Sequence, residues 1–315
     1  MKKNILLTIL IFVSFLLFTQ LLTAQESVPL IANWEVGDAY RFEITKVDKY
    51  SNRFNTDWNH SVKYISDFEV LKKDDKGYTV KWTRHTNFDY LHIPEHLIPE
   101  FVEYATFEAI YKTDLKGSFG GVENWKELKK KKSKLYDEGL KILKKEKKKV
   151  KNAFIDAYRM DSEYFGTAET VNKIIFSELW HLHYLYGLEY PVHEKIEFQI
   201  EDKIFPNCDA VTMNVGLYVS DANDTNFTIS KEVLVDEESK VPFLKDVFSF
   251  ARTAPPYYNN IMKTARLDFE EKIIYQFDHK DAIPNKFDVS EKILIRAEGG
   301  DHSNSFQEVR LRRLD

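Results

Sequence analysis

The sequence predicts an α+β protein: an antiparallel, curved, half-barrel-like β-sheet with a helical insertion in the middle of the chain. Three observations carry this. Apolar residues recur at every second position before about residue 121 and again after residue 191, the period of a half-buried strand. Between them, the spacing over residues 122–190 turns helical. No fixed-period repeat or linker-like stretch divides the two β blocks. Residues 25–121, 122–190 and 191–315 therefore read as the N-terminal β block, helical segment and C-terminal β block of one domain.

The 315-residue chain opens with an export signature. Lys2 and Lys3 precede an apolar run from Ile5 to Phe18, and Leu22-Thr23-Ala24 supplies a small-residue exit. Residues 1–24 are read as a signal peptide cleaved after Ala24, which makes the mature protein periplasmic or secreted. An uncleaved anchor is the rival, but Thr8, Ser14, Thr19 and Gln20 dilute a run barely long enough to span a bilayer. No cysteine follows the run closely, so no lipid-anchored N-terminus is expected. Cys208 is the single cysteine, which excludes an intramolecular disulfide and leaves stability to the core. Without a positive neighbour to favour the thiolate, it reads as an inert, partly buried thiol.

The first strand places Tyr40, Phe42 and Ile44 on one face and Arg41, Glu43 and Thr45 on the other. Val62, Tyr64, Phe68 and Val70 repeat the pattern. The Lys72–Gly77 run supplies a hairpin turn, after which Tyr78, Val80 and Trp82 alternate again. Phe107–Tyr111, a glycine turn and a short return strand close this block, and Asn124 is the expected N-cap of a long helix.

That helix is the most unusual segment. Residues 126–151 hold 13 lysines against 4 acids, a local charge of +9 in a chain whose net charge is −5. Tyr136, Leu140, Leu143, Val150 and Phe154 form an apolar stripe, with most lysines opposite. Gly139 sits on the apolar face, where it permits close approach to a sheet. A second helix is expected over about Thr167–Trp180, burying Val171, Ile174, Ile175 and Leu179. Alternation then resumes at Ile196, Phe198 and Ile200, at Val211, Met213 and Val215, and at Phe227, Ile229, Val233 and Val235. A short helix near Phe243–Phe250 precedes strands carrying Leu267, Phe269, Ile273, Tyr275 and Phe277, then Phe287–Ala297 and Phe306–Leu311.

Several chemistries have partial signals. The lysine-rich helix 126–151 has the composition to meet an anionic envelope surface. Nucleic acid is not expected, because arginines and interleaved aromatics are missing. The plain alternative is a helix packed by its stripe with a solvated lysine face. His181 and His183 would share a face only on a strand, and Pro94 disturbs the i, i+4 spacing of His92 and His96. Both groups read better as interior or turn histidines. His193-Glu194 lacks the second histidine of a zinc-protease helix. Asp221, Asn223, Thr225 and Glu232 match calcium-loop positions, but strand-like flanks make a polar hairpin loop the better account. Phosphate-binding, dinucleotide-binding and nucleophile-elbow motifs are missing. Accordingly no residue is assigned a catalytic or metal-binding role, and no cofactor is expected.

The segment ending Thr23-Ala24-Gln25, then Trp34-Glu-Val-Gly-Asp38 leading into a strand, and the run from Tyr111 to Trp125 resemble uncharacterised exported proteins of Gram-negative bacteria. At the level of fold, long antiparallel strands with helices on one side are similar to periplasmic lipoprotein carriers, which wrap a half-barrel around acyl chains. That likeness implies an architecture and assigns no site residue.

The leading expectation is a non-enzymatic exported protein whose curved sheet holds a lipid or other hydrophobic ligand, or an envelope partner. Its candidate lining is Tyr40, Phe42, Tyr64, Phe68, Trp82, Phe198 and Tyr275, although period-two aromatics are also what an ordinary core contains. The alternatives are an envelope hydrolase built on His181, His183 and an acid, and a cell-surface scaffold or assembly protein.

Overall fold

A computed structural model of the chain describes residues 27–52, 58–85, 93–164, 166–204, 208–223, 225–250, 262–297 and 300–314. The expected export signal, His92 and the Ile174 side chain lie outside what is described. Among the described residues no helix is long and apolar enough to cross a membrane.

The N-terminal block contributes β1 (Ser27–Leu30), β2 (Ala39–Asn52), β3 (Trp58–Asp74), β4 (Gly77–His85), β5 (Thr106–Thr113) and β6 (Phe119–Val122). The C-terminal block contributes β7 (Leu188–Pro191), β8 (Lys195–Asp202), β9 (Val211–Ser220), β10 (Asn226–Val235), β11 (Arg266–Asp278), β12 (Pro284–Ala297) and β13 (Gly300–Arg313). Eleven of these strands make one antiparallel sheet in the order β6-β5-β4-β3-β2-β13-β12-β11-β10-β9-β8, and β2 and β13 join the two blocks. Expected and observed strands coincide closely, because most bury alternate residues; the edge strand β8 buries none. On β2, Phe42 and Ile44 are buried while Arg41 and Lys49 face water. The β3–β4 turn is set by Gly77, at φ +145°, where an added Cβ would stand 1.9 Å from the Thr113 carbonyl oxygen.

Alternation gave no sign of the two-stranded β1–β7 ladder, in which Val28 pairs with Tyr190. Its purpose is visible just downstream. Trp34 is fully buried, donates from Nε1 to the Asp281 carbonyl (3.1 Å), and packs against Phe68, Tyr78, His183 and Tyr186 at 5.1–5.8 Å.

The helical middle departs from expectation in four ways. The lysine-rich run is a helical hairpin, α1 (Trp125–Ile142) and α2 (Lys148–Tyr164), and not one helix. Folding back lets the apolar stripe cover itself: Tyr136 stacks on Phe154 at 5.9 Å and on Tyr158 at 3.9 Å. The close approach at Gly139 is therefore to Phe154, whose ring tip lies 2.4 Å from where a Cβ would stand, and not to the sheet. Asn124 makes no side-chain cap bond. Its amide instead grips β5, accepting from the Ile110 N–H and donating to the Glu108 carbonyl, both at 2.8 Å. The second helix is broken: a Thr167/Thr170 capping box starts it, Val171–Ile175 widens to a π-turn, and Phe176 (φ −112°, ψ 42°) interrupts it before α3 (Ser177–His183). Val171, Ile175 and Leu179 are buried as expected.

The last helix, α4, runs over Glu237–Phe250 and starts earlier than Pro242 suggests, because the Asp236 carboxylate accepts from the Glu238 N–H (3.0 Å) and caps it. Residues 221–223 and 225 lie between β9 and β10, at the turn of that hairpin. The Asn223 Oδ1 there accepts from the N–H groups of Thr225 and Asn226, and Glu232 sits well along β10, away from the loop.

Gly139→Ala would gain about 1 kcal/mol of helix propensity but press a methyl into the enclosed Phe154 ring. Overpacking typically costs about 1–3 kcal/mol, so we expect a net loss of stability in urea unfolding. An unchanged or raised midpoint would show that the two helices are not packed this tightly.

Candidate functional site

The site is built outward from α3, whose side chains face different parts of the sheet. Glu178, fully buried, is held between two cations on different strands: Lys46 of β2 at 2.7 Å and Arg84 of β4 at 2.5 Å. Lys46 also donates to the Ser177 hydroxyl (2.9 Å). The Arg84 guanidinium lies over the Tyr64 ring (4.9 Å) and the Phe176 ring (4.7 Å), and it donates to the Ile175 carbonyl. Burial alone would push the Glu178 carboxyl up, but Arg84 and Lys46 outweigh it and hold it at about 2. One turn on, His183 has its Nδ1 2.8 Å from the Gly117 carbonyl and its Nε2 2.8 Å from the Tyr111 hydroxyl. The carbonyl can only accept, so Nδ1 carries the proton and Nε2 accepts from the tyrosine. Burial pushes this imidazole down to about 4, so it is neutral.

With that half of the helix tied down, Trp180 and Tyr184 face the other half of the sheet. There they wall a pocket of about 260 Å³. Its apolar floor is Ile200, Met213, Val233 and Phe269 from the strands, and Asp202, Lys203 and Ile204 complete the lining. Besides Asp202 and Lys203, three charged residues enter from β10, β11 and β12. Lys231 of β10 donates to Glu271 of β11 at 2.7 Å, and its ammonium stands 4.2 Å from the centre of the Tyr184 ring. Glu291 of β12 is directly opposite Glu271 in register. Burial, followed by the charges of Glu271 and Asp202, raises the Glu291 carboxyl to about 7.

The pocket thus combines an exposed indole (Trp180, 43 % exposed), a ring already engaged by a cation, an ion pair and a carboxyl that holds its proton near neutrality. Such a lining can grip an apolar body and accept hydrogen bonds from a polar end. Among the described residues, no three His, Cys, Asp or Glu side chains are grouped to hold a metal ion.

The residues singled out from alternation lie elsewhere. Phe42, Phe68, Trp82 and Tyr275 are enclosed completely, with Phe42 stacked on Trp82 at 5.7 Å and Tyr275 on Phe277 at 5.8 Å. Tyr40 is half-buried under the Arg313 guanidinium (4.3 Å), and Tyr64 is half-buried under Arg84. Phe198, on the edge strand β8, is 39 % exposed. None of these seven lines the pocket. Phe42, Phe68, Trp82 and Tyr275 are core residues with no exposed surface, and Phe198 faces outward on the edge strand with Lys195 and Asn214 nearby. His181 and His183 do not line it either: His181 packs on Phe287 (6.2 Å) and is pushed down to about 3 by burial, then by Lys231 and Lys46. His96 pairs with Glu146 at 3.4 Å, and Cys208 is buried with its thiol raised.

What alternation missed had a readable signal. Along β10 the inward residues run Phe227, Ile229, Lys231, Val233; along β11, Phe269, Glu271, Ile273; along β12, Val289, Glu291, Ile293. On three successive strands a charge occupies a slot that the pattern reserves for an apolar residue. No protein-family model and no curated protein matches the chain.

Two outcomes follow. Glu178→Ala leaves the part-buried Lys46 and Arg84 without their anion, and we expect a loss of about 3 kcal/mol in chemical unfolding. The folded carboxyl titrates below the ordinary value of about 4.3. Its contribution is therefore complete above that pH and is lost as pH falls towards 2. Glu291 has the opposite sign. Its folded value lies above the ordinary one, so the cost of ionising it is nil below about pH 4 and grows until about pH 7. Glu291→Gln should raise stability by about 1–3 kcal/mol at pH 8 and by nothing at pH 4, read from urea midpoints. A gain independent of pH would contradict the buried-proton account.

Proposed function

We propose that this chain is a non-enzymatic binding protein that holds a small amphipathic ligand between α3 and the floor of β8–β12. The observation that carries the reading is the pocket itself. Trp180 and Tyr184 face apolar floor residues across a space into which Lys231, Glu271 and Glu291 bring polar atoms. Binding sites combine an apolar lining with a few convergent polar groups in this way. Carboxylates outnumber lysines there, so the ligand's polar end is rich in hydrogen-bond donors, an amine foremost. At about 260 Å³ the space falls just below the usual range for drug-sized molecules. The ligand is therefore a short chain or a ring system, and not a whole diacyl lipid. The export signature of residues 1–24 supports a periplasmic or secreted setting. Register shifts at Val70/Lys72, Gln276/Phe277 and Ile295/Arg296 support a curved, half-barrel-like sheet with the helical segment as an insertion, because bulges bend strands.

One observation favours a hydrolase as second reading: Glu271 and Glu291 are cross-strand neighbours, one ion-paired and one protonated near neutrality. An ion-paired carboxylate beside one that holds its proton can divide the roles of base and acid.

Native mass spectrometry of the protein purified gently from an expressing envelope tests the reading. A small-molecule adduct that leaves on denaturation is expected, and it should be lost or weakened in Trp180→Ala and in Lys231→Met. A clean mass in wild type, repeated after incubation with envelope extract, would sink it. Turnover of an offered glycoside or ester, abolished by Glu291→Gln, would move the assignment to the hydrolase.

A further inference from the structure

The helical hairpin carries a second surface, on a different part of the fold from the pocket. Of its lysines, Lys132 is buried, Lys134 pairs with Glu103 and Lys141 pairs with Glu138. Lys129, Lys130, Lys144, Lys145, Lys147, Lys148 and Lys149 are exposed, and among the described residues none has an acidic partner within 4.0 Å. Lys126, Lys130, Lys134 and Lys141 follow one side of α1, and five free lysines crowd the turn into α2 between positions 144 and 149. Concentrating like charge at one tip costs repulsion, and the one acid within the turn, Glu146, is paired with His96.

We propose that the tip of this hairpin docks the protein on an anionic lipid surface. Three features favour a membrane over a nucleic acid. The cations are all lysines, without one arginine between 126 and 151, which suits diffuse attraction to headgroups better than bidentate phosphate recognition. The hairpin's aromatics are turned inward, with Tyr136 stacked on Phe154 and Tyr158, and offer no platform to bases. The free lysines occupy the exposed positions of a turn and one helix side, and no described groove is lined by them. Each lysine near an anionic surface contributes on the order of 1 kcal/mol. Val150 and Ile142 are half-buried in the packing, so the attachment is electrostatic and reversible, without an inserted apolar wedge.

The test is co-sedimentation of the full chain with vesicles of phosphatidylcholine containing about one third phosphatidylglycerol, compared with phosphatidylcholine alone. The pure phosphatidylcholine arm removes any contribution of the apolar N-terminal segment. Binding to the anionic vesicles should exceed that to neutral ones, and it should fall steeply between 50 and 300 mM salt, the expected screening range. In the fivefold variant K144Q/K145Q/K147Q/K148Q/K149Q we expect the extra binding to drop about 100-fold or more. Circular dichroism should be unchanged, because these side chains are exposed. Equal retention on both vesicles, or variant binding equal to wild type, would overturn the proposal. So would tighter binding to duplex DNA than to the anionic vesicles under the same salt. Loss of the pocket ligand in Trp180→Ala leaves this result untouched, so the two readings fail separately.

Discussion

The carboxylate of Glu178 is the point on which the rest of the arrangement depends. It comes from a helix of seven residues, too short to hold its own shape in water. Lys46 and Arg84 reach it from strands on either side of β3, so three elements distant in sequence meet at one buried anion. The Coulombic attraction is large at such distances in a poorly polarisable interior, but so is the cost of desolvating three ions. The net gain is therefore less in stability than in definition: α3 has one position in which its charge is met. His183, proton fixed by the Gly117 carbonyl, and the Tyr275 hydroxyl on the His181 carbonyl add two further ties. The orientation of Trp180 and Tyr184 follows from these constraints.

The pocket arises where that covering ends. Moving across the sheet at the level of Glu271, the helix-facing residues are His60, Asp48, Gln307, Glu291 and Glu271, an unbroken polar row over five strands. One register step nearer the helices the row is Lys46, Val309, Val289, Ile273 and Lys231, apolar in its middle and charged at both ends. The helices thus cover the apolar row, and the polar row marks the limit of what they cover. Glu291 lies where the two environments meet, which is why burial moves its proton affinity so far.

Most of the sheet was legible in the sequence, because each strand keeps one wet face and period two survives in the residues. The joining of the blocks through β2 and β13 was not, since which strands pair is decided by shape and register. The helical hairpin was misread as one helix because lysines are good helix formers throughout. The break at Leu143–Lys147 comes from burying Phe154 against Tyr136, a tertiary gain that propensity does not contain. The aromatics Phe42, Phe68, Trp82 and Tyr275 looked equally suited to a core and to a ligand site. Only the helices packed over them decide between the two.

The strongest pointer in the chain was the exceptions to its pattern. A charged residue in an inward slot is expensive unless something meets it. Lys231, Glu271 and Glu291 are three such residues on adjacent strands. A single case reads as a local ion pair, and Lys231 with Glu271 would be one. Glu291 is then left over, adjoining an acid with no cation of its own in register. A chain selected for stability alone would put a valine there, as its neighbours Val289 and Ile293 suggest. Sequences break their own patterning chiefly where function requires it. The leftover carboxyl, more than the aromatic surroundings, is what supports the proposal of a binding site beside α3 over a packing gap.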